Sequence, residues 1–185
     1  MLTSWGKKVV ACAKIINYTI PYVTVAATSP AMIEAKNVLG STYYIPPVYY
    51  TQAWTAITAA LADTSYGIAL GSGDTAPTEN DYTLANQITG FTMATPTITT
   101  FFDTTNFKYV ARLDMSVSNN TGSPITIKEI GYFVRFNTNG TRGANATGSN
   151  TARHSFMIDR SVLETPLTIA NGAAAVVRYD FAYEG

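Results

Sequence analysis

The chain is short of charge. Only 13% of its 185 residues are Asp, Glu, Lys or Arg, about half of the roughly 25% found in ordinary soluble domains. Twelve acids balance twelve bases, so no net field draws the chain to nucleic acid or to an anionic membrane. Cysteine occurs once, as Cys12, which excludes an intramolecular disulfide and a cysteine-built metal site. Histidine also occurs once, as His154, so a histidine zinc site or a Ser-His or Cys-His constellation is hard to build. His154 lies beside a polar loop and reads as exposed structural polarity. No run approaches the ~20 apolar residues that cross a bilayer. Lys7 and Lys8 precede a short apolar run without a convincing signal-peptide cleavage site. The Asn-x-Thr triplets at Asn17, Asn119, Asn139 and Asn145 are chance products of a sequence rich in both residues. The acids are scattered, and no pair is set at a spacing that suits a glycan hydrolase. An enzyme is not expected, and no catalytic, cofactor-binding or metal-binding residue is assigned.

What the chain has instead is β chemistry. It is 46% hydrophobic, with twelve Tyr, eight Phe and abundant Thr, residues that favour strands and interfaces. Low, balanced charge gives little repulsion between copies, which suits a surface covered by partners or by itself. The first 63 residues read as a helix, arm and wrapping segment. Thr3 or Ser4 caps a short helix with Trp5, Val9 and Ala13 along one side. Ile15–Val25, broken by Pro21, reads as an extended arm with an edge strand, and Ala26–Gly40 as a connector with a helical turn around Ala31–Lys36. In Tyr43–Tyr50, two successive prolines exclude a central strand. Trp5, Tyr43, Tyr44, Tyr49, Tyr50 and Trp54 are candidate contact residues, either for another subunit or as a stacking surface for sugars. Gln52–Asp63 fits more than one element.

Residues 64–185 read as a β domain. Ser65–Leu70 is a short strand, and the polar loop from Gly71 is anchored at Leu84. That loop lacks both a full Gly-x-Gly-x-x-Gly pattern and a P-loop ending, and Asp74, Glu79 and Asp81 do not match an EF-hand. Phe91–Phe102 is an edge or bent strand because of Pro96, and Lys108–Ser118 alternates cleanly. Asn119–Pro124 is expected to close a hairpin, Asn137–Arg153 to project as a loop, and Asn171-Gly172 to turn tightly. Further strands are expected at Ser155–Leu163, Pro166–Ile169 and Ala174–Tyr183. Seven or eight strands between turns predict an all-β fold, an antiparallel β-sandwich of jelly-roll or immunoglobulin-like kind.

The stretch Ile125–Phe136 is the centre of that fold. Ile125 and Ile127 share one phase of the two-residue period, whereas Ile130, Tyr132, Val134 and Phe136 share the other. A strand changes its buried face only by inserting a residue, which predicts a β-bulge at Glu129-Ile130-Gly131. Glu129 then either faces solvent at a sheet edge or is held inward by an arginine. Arg160 is the candidate partner, because it shares a phase with Phe156, Ile158 and Val162. Such a pair fixes register more than it stabilises.

Four segments carry a resemblance when taken in order. They are the opening Met1–Lys8, the Gly71-Ser-Gly-Asp-Thr-Ala-Pro77 segment leading into Asp81-Tyr-Thr-Leu84, the strand from Asn119 to Gly131, and the segment Arg160–Gly172. Together they resemble virion structural proteins of tailed bacteriophages, of the tail, collar, fibre-associated or head-decoration type. Ile15–Asp63 departs from that pattern. The resemblance implies a non-enzymatic homo-oligomer of the virion, made in the host cytoplasm, that contacts copies of itself and other virion proteins. A carbohydrate- or receptor-binding module at a fibre tip is the alternative, with a host surface glycan as partner.

Overall fold

The computed structural model describes residues 33–45, 50–52, 57–138 and 152–184. The helix expected around Trp5 and most of the expected arm lie outside the described residues, as does most of the 137–153 loop. Among the described residues there are ten strands: Ile33–Lys36 (β1), Thr42–Ile45 (β2), Tyr50–Gln52 (β3), Gly67–Gly71 (β4), Thr92–Met93 (β5), Thr97–Asp103 (β6), Lys108–Ser118 (β7), Ile125–Thr138 (β8), Ala152–Ile169 (β9) and Ala174–Glu184 (β10). The described residues contain no helix, and every strand pairing is antiparallel. The fold is all-β. The helical turn expected at 31–36 is strand β1, which β2 pairs in a two-stranded sheet. Ile33 and Ala35 alternate with charged Glu34 and Lys36, so period two decides the segment.

Two four-stranded sheets share one plan. In the first, β7 runs beside β10 along its whole length, and β5 and β6 follow one another along the opposite edge of β7. In the second, β8 runs beside β9, with β3 and β4 following one another along its other edge. Leu113, Met115, Val117, Val177 and Tyr179 from the first sheet enter one buried cluster with Ile68, Leu70, Ile127, Ile130, Tyr132, Val134, Phe156 and Ile158 from the second. The second sheet is also covered on its other face. There Phe133, Ala69 and Met157 pack with Val38, Ile57 and Leu84 from the loops.

The predicted 119–124 hairpin is instead a crossover. Its two strands belong to different sheets, and so do those flanking the Asn171-Gly172 turn. The reason lies in Asn119, which is fully buried. Its Nδ2 donates to Ser123 O and Ile169 O, both at 2.8 Å, while Oδ1 accepts from Thr121 N at 3.0 Å. Its backbone N–H donates to Ala173 O, and its carbonyl accepts from Gly172 N. One side chain therefore ties both crossovers together. Gly172, at φ +79°, supplies a backbone conformation that other residues rarely adopt.

The face switch of β8 is present, one residue earlier than expected. Its ladder with β9 is interrupted between Ile127 and Glu129, at Lys128. On β9 the same interruption passes over residues 163–166, so the two strands expected at 155–163 and 166–169 are one strand with Pro166 in the unladdered stretch. A proline fits there because it has no N–H to give a ladder. A second interruption between Tyr132 and Phe133 passes over Ile158 on β9. It turns Arg160 to the face opposite Phe156, so the phase read from sequence does not persist along β9.

Candidate functional site

The most enclosed charge in the described chain is Glu129, with no exposed surface. It does not point into the core between the sheets. Because the face switch falls at Lys128, Glu129 shares the outer face of β8 with Gly131 and Phe133, beneath the loop that follows β4. Its Oε1 accepts from Gly73 N (3.0 Å) and Asn86 N (2.8 Å). Its Oε2 accepts from Ala85 N (3.1 Å) and from Arg160 Nε (2.8 Å). Arg160 also donates from Nη1 to Asp81 Oδ2 at 2.8 Å and from Nη2 to Thr75 O at 3.0 Å. Asp81 in turn accepts from Thr78 N and Thr78 Oγ1. One carboxylate and one guanidinium thus hold both arms of the 72–87 loop against the sheet. Lys128 Nζ adds an exposed contact to Asp74 Oδ2 at 2.9 Å.

The loop glycines are required by that carboxylate. A Cβ on Gly71 would stand 2.4 Å from Glu129 Oε1 and 2.7 Å from Asn86 O. One on Gly73 would stand 2.5 Å from Oε1 and 2.6 Å from Ala85 Cβ. Gly131 is equally constrained, with Phe133 Cε2 at 2.7 Å and Leu84 Cδ2 at 2.8 Å from the position of a Cβ. These distances are well inside van der Waals contact, and the four hydrogen bonds on Glu129 prevent it from yielding.

Burial alone would raise the pKa of Glu129. The N–H of Asn86, the Arg160 side chain and the N–H of Ala85 outweigh it and hold the carboxyl below the usual glutamate range. Asp81 behaves alike: burial opposes ionisation, but Thr78 and Arg160 prevail and lower its pKa. Arg160 stays charged because Asp81 and Glu129 overcome its own desolvation. The centre is ionised and locked to the backbone, chemistry that fixes a loop.

A second polar cluster surrounds His154. Its Nδ1 lies 2.5 Å from Asp63 Oδ2, and its ring stacks on Tyr43 with centroids 3.9 Å apart. Asn37 Nδ2 reaches the other Asp63 oxygen, and Asn37 Oδ1 accepts from Leu39 N and Ser41 N. The His154 side chain is only 12% exposed, so it is a packed joint between β2, β9 and the 57–66 segment. Neighbouring Ser155 turns its hydroxyl to Ser65 O, away from a serine–histidine pairing.

The structure therefore brings Glu129 and Arg160 into direct contact, with Asp81 as a third member. Tyr43 is half-buried and meets Phe156 edge-on at 6.4 Å, so one flat face serves the fold. Trp5, Tyr49 and Trp54 fall outside the described residues; Tyr44 lies in β2 and Tyr50 in β3, opposite Phe136. The sequence alone singles out neither Gly71 and Gly73 as neighbours of Glu129 nor Asp81 as a partner of Arg160. The available signal was a two-glycine loop leaving a strand beside an acid placed where an apolar residue belongs. Compared with known proteins, the chain matches no family model, no curated protein and no solved structure.

Proposed function

We propose that the chain is a non-enzymatic structural component of a tailed-bacteriophage particle, one that self-associates and contacts other virion proteins. The observation that carries this reading is the convergence of motifs. The glycine segment at 71–77 with Asp81, the Ile125–Gly131 strand and the segment opening at Arg160 are far apart in sequence, yet they meet in one buried network. Three of the four segments that resemble virion proteins thus meet in one structural unit. Two four-stranded sheets with a shared core read as a β-sandwich of jelly-roll or immunoglobulin-like kind, a form that supports assembly by shape. Balanced charge and tyrosine-rich composition favour contacts among copies.

The test is the solution mass of the purified chain, by light scattering behind a sizing column over a wide concentration range. A discrete oligomer or a larger assembly is expected. A strict monomer with no affinity for other virion proteins would overturn the proposal.

A further inference from the structure

Strand β6 has an unusual environment. Six of its seven residues are exposed and the seventh, Asp103, is intermediate. A half-buried strand normally hides every second side chain. Ile98 is 43% exposed and Phe101 36%, and Phe107 in the adjoining turn is 73% exposed. Among the described residues, Thr97–Phe101 pairs along one edge only, with β7.

Pro96 precedes the strand and Asp103 ends it, but the six residues between them, Thr97–Phe102, contain no charge, no proline and no glycine, and their ladder to β7 runs without a bulge. Natural edge strands carry such features to prevent pairing with another chain. The charges nearest to that stretch are already matched: Asp103 accepts from Thr105 N and Asn106 Nδ2, Arg112 pairs with Asp180 at 2.6 Å and lies over the Phe101 ring at 4.9 Å, and Arg178 pairs with Asp114 at 2.8 Å. An uncharged stretch of Thr, Ile and Phe is complementary to itself when turned about a two-fold axis, which sets it antiparallel to its copy.

We infer that β6 is a subunit interface, at which two copies of this chain pair antiparallel through Thr97–Phe101 to continue the β10–β7–β6 sheet across the dimer. The inference rests on the proposed self-association and names the surface that carries it. Backbone hydrogen bonds give the contact its register, and Ile98 and Phe101 provide its apolar area.

The experiment uses the full chain with two sets of variants. Ile98→Lys and Thr99→Glu place a charge on both sides of the two-fold, and each is expected to weaken association at least about tenfold. Val176→Lys, on exposed β10, leaves it unchanged. Melting curves establish that each variant folds. Independently, a single cysteine at Thr99, which faces its own copy across the two-fold, in a Cys12→Ser background forms an inter-chain disulfide under mild oxidation, whereas a cysteine at Val176 does not. An oligomer of wild-type size in both β6 variants, with no cross-link at 99, overturns the β6 interface and leaves self-association standing. A wild-type chain that is monomeric at every concentration overturns both.

Discussion

At the scale of single residues, Glu129 organises its surroundings through four hydrogen bonds. Removing its charge leaves Arg160 half-paired and several N–H groups facing a poor acceptor. Breaking a buried pair from one side costs about 3–5 kcal/mol, so Glu129→Gln is expected to lower stability by that order in urea unfolding. The glycines depend on the same carboxylate. Gly73→Ala should cost about 1–3 kcal/mol through overpacking, and much of that cost should vanish in an E129A background, because the carboxylate is the closest obstacle. A double-mutant cycle measures the coupling, and purely additive losses would mean that the Ala85 contact dominates. The pH dependence follows from the same geometry. The folded pKa values of Glu129 and Asp81 lie below their unfolded ones, so between the two the unfolded chain binds more protons. Their contribution is complete above about pH 4.3, the ordinary carboxylate range, and is lost as pH falls through the lowered values. Melting temperature should therefore fall in acid, and E129Q should flatten that fall.

At the scale of elements, what was legible in the sequence was period, and what was not was connection. The alternation in β7, the face change in β8 and the strand in β10 could be read because side-chain period is local. Arg160 could be named as partner for Glu129 from its phase along β9, although the interruption at Ile158 puts it on the opposite face from Phe156. The turn at 119–124 has the composition of a hairpin, and composition does not say which sheet receives the next strand. That is decided by the buried amide of Asn119, which bonds to the second crossover some 50 residues away. Asn119→Ala should remove the donor to the buried Ile169 carbonyl at a cost of about 1–3 kcal/mol. Asn119→Asp keeps the acceptor but loses both Nδ2 donations, and should destabilise similarly; two wild-type-like melting curves would show that the backbone alone sets the corner. The loop over Glu129 was visible as a loop, but its partner lies 43 to 56 residues along the chain, beyond the reach of local pattern.

At the scale of the whole molecule, two sheets of the same plan share a core, and one of them is sealed on its outer face by loops while the other ends in an exposed strand. Assembly is expected to use that difference, and light scattering of the β6 variants reads it directly. The paired crossovers have another consequence, for the way the chain reaches this state. β7 finds its full-length partner only in β10, after β8 and β9 have been laid into the other sheet. Neither sheet is a run of neighbouring hairpins that could close as it emerges. A topology ruled by distant pairings folds slowly, on the millisecond-to-second scale of β-sandwiches. Until β10 docks, β7 is covered on one edge only, by β5 and β6, and the uncharged stretch of β6 proposed to join copies in the finished molecule is also the one most prone to premature association while the chain is still folding.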